Sequence, residues 1–290
     1  MNQTADFLVD LHLHSTHSDG SLSPTELVDL AFSKGLSLIS LTDHDGMSGL
    51  DEAQARALER GIGFLPGGEL SAYYPGGTCH LLGYNIDPQN AALTHALAKL
   101  REARASRNDR ILARLNDLGY PLNKADFMAA AKGSKSPGRP HLAAALAAKG
   151  MVGNLQSSFS DLLAPGKPAY VPKEIFHPEE AVRLVQEAGG SAFLAHPVTL
   201  HLPPERLKVW LSRLQEQGLD GIEVYNSLHL PAEAAMLKLI AQDLGLQISG
   251  GSDFHGLFKP QVDLGQWKPG LPICAADLTM EVMQSQEPRG

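Results

Sequence analysis

Cysteine is nearly missing from this sequence: Cys79 and Cys274 are the only two in 290 residues, and they stand in no CxxC or other regular spacing. A disulfide framework and a thiolate zinc knuckle are thereby excluded, and both side chains are expected to be ordinary reduced thiols. Long apolar runs are missing as well. None approaches the roughly 18–20 residues needed to cross a bilayer, and the opening MNQTADF has neither the basic nor the apolar region of a signal peptide. The expected setting is the cytoplasm, with no membrane partner. Basic residues are too few to coat long nucleic acid: 24 Lys and Arg face 32 Asp and Glu, and the formal net charge of -8 gives no global positive field. A small anionic substrate stays open, because acidic groups gathered around divalent cations would face inward. No GxSxG elbow, internal repeat or low-complexity tract occurs.

What is present is a chain long and apolar enough, at 290 residues and 43% hydrophobic, to bury a large core as one α/β domain or a domain with an insertion. FLVDLHL, LSLISL and IGFLPGGEL read as strands, with the helical patterns PTELVDLAFSKG and SGLDEAQARALERG between them. This βαβα order is that of a parallel sheet covered by helices. Ser23 and Pro24 supply an N-cap and a first helical residue, and Gly35 and Gly61 supply helix stops. The alternation returns late, where EEAVRLVQEAGG leads into SAFLAHP, PPERLKVWLSRLQEQG into LDGIEVYN, and PAEAAMLKLIAQDLG into LQISGGSDFH. Between these two regions it stops. ALTHALAKLREARASRNDRILARLNDLG is one long amphipathic helix pattern, KADFMAAAKG and GRPHLAAALAAKG are shorter ones, and APGKPAYVPKE is a Pro/Gly-rich return. The expected organisation is a first α/β part over 1–96, a helical insertion over 97–169 and a second α/β part over 170–290.

The ionisable residues fall in a pattern. Asp10, His12 and His14 alternate along one strand and therefore face the same way, with Asp19 in the turn beyond it. Other strands end in Thr42-Asp43-His44-Asp45, Gly67-Gly68-Glu69, Ala195-His196-Pro197, Glu223-Val224-Tyr225-Asn226 and Ser252-Asp253-Phe254-His255. Carboxyl ends of strands are where barrel and open α/β enzymes build their sites. A lone histidine there is ordinarily a hydrogen-bonded rim residue. A His or carboxylate at nearly every strand end is different, since each loses hydration unless it is paired or metal-bound. Imidazole mixed with carboxylate, without thiolate, suits Mn²⁺, Fe²⁺ or Zn²⁺ at a working site rather than a structural zinc.

His12-x-His14 with Asp19, Thr42-Asp43-His44, Glu69, His80, Ala195-His196-Pro197 and Asp253-x-His255 together resemble the motifs of the PHP (polymerase and histidinol phosphatase) family, in order across residues 7–96 and 170–256. The resemblance implies a distorted (β/α)₇ barrel with a helical insertion. It also implies a centre of two or three divalent metals, manganese first with iron or zinc as alternatives, that hydrolyses phosphate esters. His12, His14, Glu69 and Asp253 would then hold one metal; Glu69 would bridge to a second held by His80 and His196; Asp19, His44 and His255 would hold a third. His80 differs from the rest in standing at the beginning of its strand, HLLGYNI. SRNDRILARLNDLG, GRPHLAAALAAKG and GKPAYVPK are similar to the insertion of one branch of the family, which contains 3',5'-nucleotide bisphosphate phosphatases and related 5'-to-3' exoribonucleases.

The activity so implied is hydrolysis of the 3'-phosphate of a nucleoside 3',5'-bisphosphate, giving the 5'-monophosphate and phosphate. Clustered divalent ions neutralise phosphate oxygens and lower the pKa of water toward ~7. Asp19 and His255 are the candidates to position the phosphate or protonate the leaving group, beside the bridging Glu69 and with His44 adjoining the substrate. The other phosphate needs its own anchor. Arg107, Asn108 and Arg110 in SRNDR, and Lys135 and Arg139 in KGSKSPGRPH, are its candidates. Tyr73, Tyr74 and Phe254 are of a kind that stacks on a base, whereas Trp210 and Trp267 are expected to be structural. Short 5'-phosphorylated RNA and histidinol phosphate are the alternative substrates, and a noncatalytic metal-stabilised module is the alternative of a different class. The oligomeric state is left open.

Overall fold

The computed structural model describes residues 7–131, 133–134, 137–172 and 175–283. Seven strands, β1 (Val9–Leu13), β2 (Leu38–Leu41), β3 (Gly63–Ala72), β4 (Cys79–Tyr84), β5 (Ser191–Leu194), β6 (Gly221–Asn226) and β7 (Gln247–Gly251), lie side by side in that order. β1, β2 and β3 pair in parallel, as do β5, β6 and β7, while β4 runs antiparallel to both of its neighbours. Just past β7 the sheet closes on itself, where Asp253 N–H donates to His12 O at 2.9 Å and His14 N–H donates to Phe254 O at 3.1 Å. Gly251 permits that approach, since a Cβ there would lie 2.2 Å from His12 Cβ. The outcome is a distorted seven-stranded barrel with one reversed strand.

Helices α1 (Pro24–Ser33) and α2 (Leu50–Arg60) follow β1 and β2. Ser23 caps α1 in a reciprocal pair with Glu26, and Pro24 opens the first turn, as the sequence leads one to expect. Leu27, Val28 and Ala31 of α1 and Ala53 and Ala57 of α2 bury against Ile39 and Leu41 of β2. Four helices then come together: α3 (Ala91–Asp117), α4 (Lys124–Ala131), α5 (Arg139–Ala148) and the short α6 (Leu155–Ser158). The chain returns through α7 (Pro178–Glu187), α8 (Pro204–Glu216) and α9 (Pro231–Leu244), each preceding one of the last three barrel strands. Among the described residues no helix is long and apolar enough to cross a membrane.

α3 belongs to two cores. Leu93, Leu97 and Leu100 pack with the barrel cluster around Leu82, Val182 and Val185, whereas Ile111, Leu112 and Leu115 pack with Phe127, Leu142 and Leu146 of the insertion. The position 96/97, where a boundary is expected, falls inside this helix. Each fully buried leucine stabilises the fold by about 1.5–3 kcal/mol, so burial at both ends fixes α3 as a rigid beam between barrel and insertion.

Candidate metal centre and anion pocket

The period of two along β1 sends His12 and His14 to one side, with their Nε2 atoms 3.1 Å apart. Glu69 is the hub. Its Oε2 lies 2.9 Å from His44 Nδ1, 3.2 Å from His14 Nε2 and 3.4 Å from His12 Nε2, and its Oε1 lies 2.7 Å from His80 Nδ1 and 3.1 Å from His196 Nε2. Asp253 Oδ1 is 3.3 Å from both His14 Nε2 and His255 Nδ1. Asp19 Oδ1 is 3.4 Å from His255 Nε2 and 3.9 Å from His14 Nδ1 and His44 Nε2. All the candidate ligands, His12, His14, Asp19, His44, Glu69, His80, His196, Asp253 and His255, thus meet in one place.

Two of them arrive by routes that strand-end reading does not anticipate. β3 does not end at Glu69 but continues to Ala72, because it changes partners midway, from β2 up to Pro66 to β4 from Gly67 onward. β4 runs backwards, so its first residues lie at the mouth where the parallel strands finish, and His80 pairs opposite Ser71. The backbone is strained at the same mouth. Asp45, His196 and Asp253 all have left-handed φ values, of 50°, 28° and 58°. Each such residue costs about 1–3 kcal/mol and persists only where its surroundings over-determine it.

The donor set fits divalent cations. Among the described residues Glu69 Oε2, His44 Nδ1 and Asp19 Oδ1 are buried without a hydrogen-bond partner, the first two facing each other out of hydrogen-bond alignment. His255 Nδ1 lies 2.9 Å from the carbonyl oxygen of Asp253, a contact that assigns the proton to Nδ1 and turns the Nε2 lone pair toward Asp19 Oδ1. Burial, with Lys259 and His14 nearby, holds His255 below its usual range, and burial pushes His44 down to about 4. Both are therefore neutral at pH 7, as ligation requires, whereas, against burial, Asp253 and Glu69 raise His14 to about 9 and Glu223 and Glu69 raise His12 above its usual range, protons that a bound cation would have to displace. Against burial, which would raise them, the neighbouring histidines hold the Glu69 carboxyl, and Lys259 and His12 hold the Asp253 carboxyl, well below the usual carboxylate range. Four overlapping groups bring donor atoms within 4.8 Å of one another: His14-Asp19-His44-His255, His12-His14-Asp253, His12-Glu69-His196 and His44-Glu69-His80.

A second layer of residues, absent from the candidate set, orients this one. Glu223 Oε1 accepts from His12 Nδ1 at 2.9 Å while its Oε2 accepts from His196 N–H at 2.7 Å and from Asn226 Nδ2 at 3.0 Å. His12 is left with Nε2 toward the centre. Asp43 accepts from Ser15 N–H at 2.8 Å and from Ser18 Oγ at 2.5 Å, and so holds the turn that carries Asp19. That turn folds back on its strand only through Gly20, where a Cβ would meet His14 O at 2.1 Å. Lys259 Nζ lies 2.5 Å from Asp253 Oδ2. Glu223 and Asp43 stand in plain view at strand ends, but sequence does not separate a ligand from a residue that orients one. Lys259 carries no sequence signal.

Asp19, His44 and His80 also line a cavity of about 160 Å³ that is lined by Arg104 and Arg107 of α3, Arg139 of α5 and Phe159. Arg107 Nε donates to Val171 O at 2.7 Å and Arg139 Nη1 to Leu163 O at 3.2 Å. Among the described residues neither has a carboxylate partner. Burial, with Arg139 and Arg104 close by, lowers the Arg107 guanidinium to about 10, and burial lowers that of Arg139 as well. A buried and a half-buried cation left without a carboxylate partner among the described residues make a site that favours an anion.

The remaining substrate-binding candidates lie elsewhere. The inward face of α3 carries Arg104, Arg107, Asn108 and Ile111, which leaves Arg110 on the exposed side, outside the cavity. Asn108 Nδ2 donates to Pro137 O at 2.8 Å and braces the approach to α5. Lys135 lies outside the described residues. Tyr74 packs edge-on against Trp210, half-exposed Tyr73 stands against His177, and Phe254 is buried in the core beside α1 and α2. Trp267 packs on Tyr225, in keeping with a structural role.

A family profile described as PHP domain matches residues 10–137. The chain is 37% identical over 269 residues, 92% of its own length and 93% of the other's, to a 3',5'-nucleoside bisphosphate phosphatase of Chromobacterium violaceum. It is 35% identical over 254 residues, 85% of its length and 89% of the other's, to a 5'-3' exoribonuclease of Haemophilus influenzae. A solved structure of an amidohydrolase from Chromobacterium violaceum, with sulfate bound and no metal, superposes with a TM-score of 0.81 at 37% identity, covering 85% of this chain and 87% of that one.

Proposed function

The chain belongs to the PHP family, and from that membership we propose that it is a metal-dependent phosphatase that removes the 3'-phosphate of nucleoside 3',5'-bisphosphates to leave the 5'-monophosphate. One observation carries the reading: a cluster of metal-competent donors shares one cavity with two arginines that have no carboxylate partner among the described residues. A substrate with two phosphates has a use for both. Manganese would be the metal, with iron or zinc as alternatives suited to the same donors, and the cytoplasm the setting.

Divalent cations held by the nine donors would neutralise phosphate oxygens and lower the pKa of water toward ~7. The chain's own residues do the rest. Arg107 and Arg139 direct free guanidinium N–H groups at the 5'-phosphate, and this remote contact holds the 3'-ester at the metal-competent cluster. Asp19 and His255, whose Oδ1 and Nε2 lie 3.4 Å apart, are the candidates to position the reacting phosphate beside the departing 3'-oxygen.

A second reading, 5'-to-3' exoribonuclease action on short RNA, is favoured by an adjoining cavity of about 240 Å³. It shares Asp19 and His44 with the first and continues past His255, Phe258 and Lys259, away from the arginines. Phosphorus NMR of the products decides between them. Release of the 3'-phosphate from the bisphosphate supports the first reading. Release of the 5'-phosphate, or faster turnover of RNA oligomers, replaces it.

A further inference from the structure

We propose that Asp45 is a positioning residue for the remote phosphate: by pairing with Arg104 across the junction between barrel and insertion, it aims the arginines of the insertion at the substrate. The inference rests on the bisphosphate reading above and deepens it. Asp45 is fully buried, holds a left-handed backbone with φ of 50°, and directly follows His44. Its Oδ1 accepts from Ser71 N–H at 2.8 Å, and its Oδ2 accepts from Ser71 Oγ at 3.0 Å and from Arg104 Nη2 at 2.6 Å. Its own N–H donates to Glu69 O at 2.9 Å. One carboxylate therefore ties together the turn of His44, the strand of Glu69 and His80's partner Ser71, and the helix that carries Arg104 and Arg107.

Among the described residues this is the one ion pair that joins the insertion helices to the barrel; the others of the insertion, Lys124 with Asp109 and Lys149 with Asp126, are internal to it. A buried fork held at one nitrogen keeps its remaining N–H groups in a fixed plane, and Arg104 lines the same cavity as Arg107 and Arg139. Among the described residues Arg104 is the one of the cavity's three arginines that has a carboxylate partner, and Arg107 and Arg139 are left to meet a phosphomonoester dianion. The arrangement therefore sets the preference for a substrate bearing a terminal phosphate beyond the reacting one.

The test compares kcat/KM for a nucleoside 3',5'-bisphosphate with that for the 3'-monophosphate, in manganese-reconstituted wild type, Asp45→Asn, Arg104→Met and the double variant, with bound metal measured in each. The expected result is a fall on the order of tenfold in the bisphosphate-to-monophosphate ratio in each single variant, with metal content retained, and no further fall in the double variant. Arg104→Met removes the pair from the helix side without touching the turn of His44, so it reports even if Asp45→Asn fails to fold. Equal losses on both substrates, or additive losses in the double variant, overturn the inference. A wild type that does not prefer the bisphosphate overturns the functional reading instead.

Discussion

His80 Nδ1 lies 3.4 Å from His196 Nε2, although His80 stands near the start of β4 and His196 follows the end of β5. The reversal of β4 brings them together over Glu69 Oε1. His80→Ala is expected to remove about one equivalent of metal and most of the activity, because it takes a donor from a shared carboxylate. Elemental analysis of the reconstituted variant checks this. Unchanged stoichiometry and rate would remove His80 from the ligand set.

Glu223 fixes which nitrogen of His12 faces the centre. Glu223→Gln keeps the size of the side chain but offers an amide N–H where His12 Nδ1 needs an acceptor. Metal affinity should fall roughly 10–100-fold, as for other outer-layer partners of ligating histidines. Competition with a chelator of known affinity measures it, and a variant as tight as wild type would leave Glu223 with a packing role.

Arg139 and Arg110 should part company. Arg139→Ala removes a charged phosphate contact worth roughly 1.5–3 kcal/mol, so kcat/KM for the bisphosphate should drop about tenfold to a hundredfold with metal content intact. Arg110 is exposed outside the cavity, and Arg110→Ala should stay within about twofold of wild type. Steady-state kinetics on both variants tests the assignment, and the reverse order of effects would contradict it.

A pH prediction comes from the surface where α1 meets α2. Hydrogen bonds from Arg56 and then Arg60 hold the Asp29 carboxyl at about 2. A carboxylate whose pKa is depressed on folding stabilises the fold above its unfolded value of about 3.9, and that contribution disappears as pH falls through the folded value. Asp29→Asn should therefore lower Tm at pH 7, modestly because the pair is solvent-screened, and the difference should close between about pH 4 and 2. A Tm gap that persists at the acid end would point to packing rather than charge.

Much of the site was legible in one dimension. The period of two along VDLHLH puts His12 and His14 on one face whatever the fold around them, and Ser23-Pro24 with Gly61 punctuates helices by local geometry that the neighbouring residues supply. The donor types on offer, imidazole and carboxylate with no thiolate, were likewise a matter of composition. The anchor was legible only in part: SRNDR points to a basic stretch, but the rotation of α3 decides which of its arginines turns inward.

What the sequence by itself determined, then, is which strand ends carry imidazole or carboxylate, the helical stretch between the two α/β parts, and the donor chemistry on offer. Tertiary structure alone decided the direction of β4, which admits His80, the change of partner within β3, which seats Glu69 under five imidazoles, and the long-range contacts of Glu223, Asp45 and Lys259. The physical reason is range. Periodicity, capping and donor chemistry act within a few residues of chain, whereas strand direction and the pairing of buried charges depend on which distant segments the hydrophobic core brings together, and no local pattern encodes that choice.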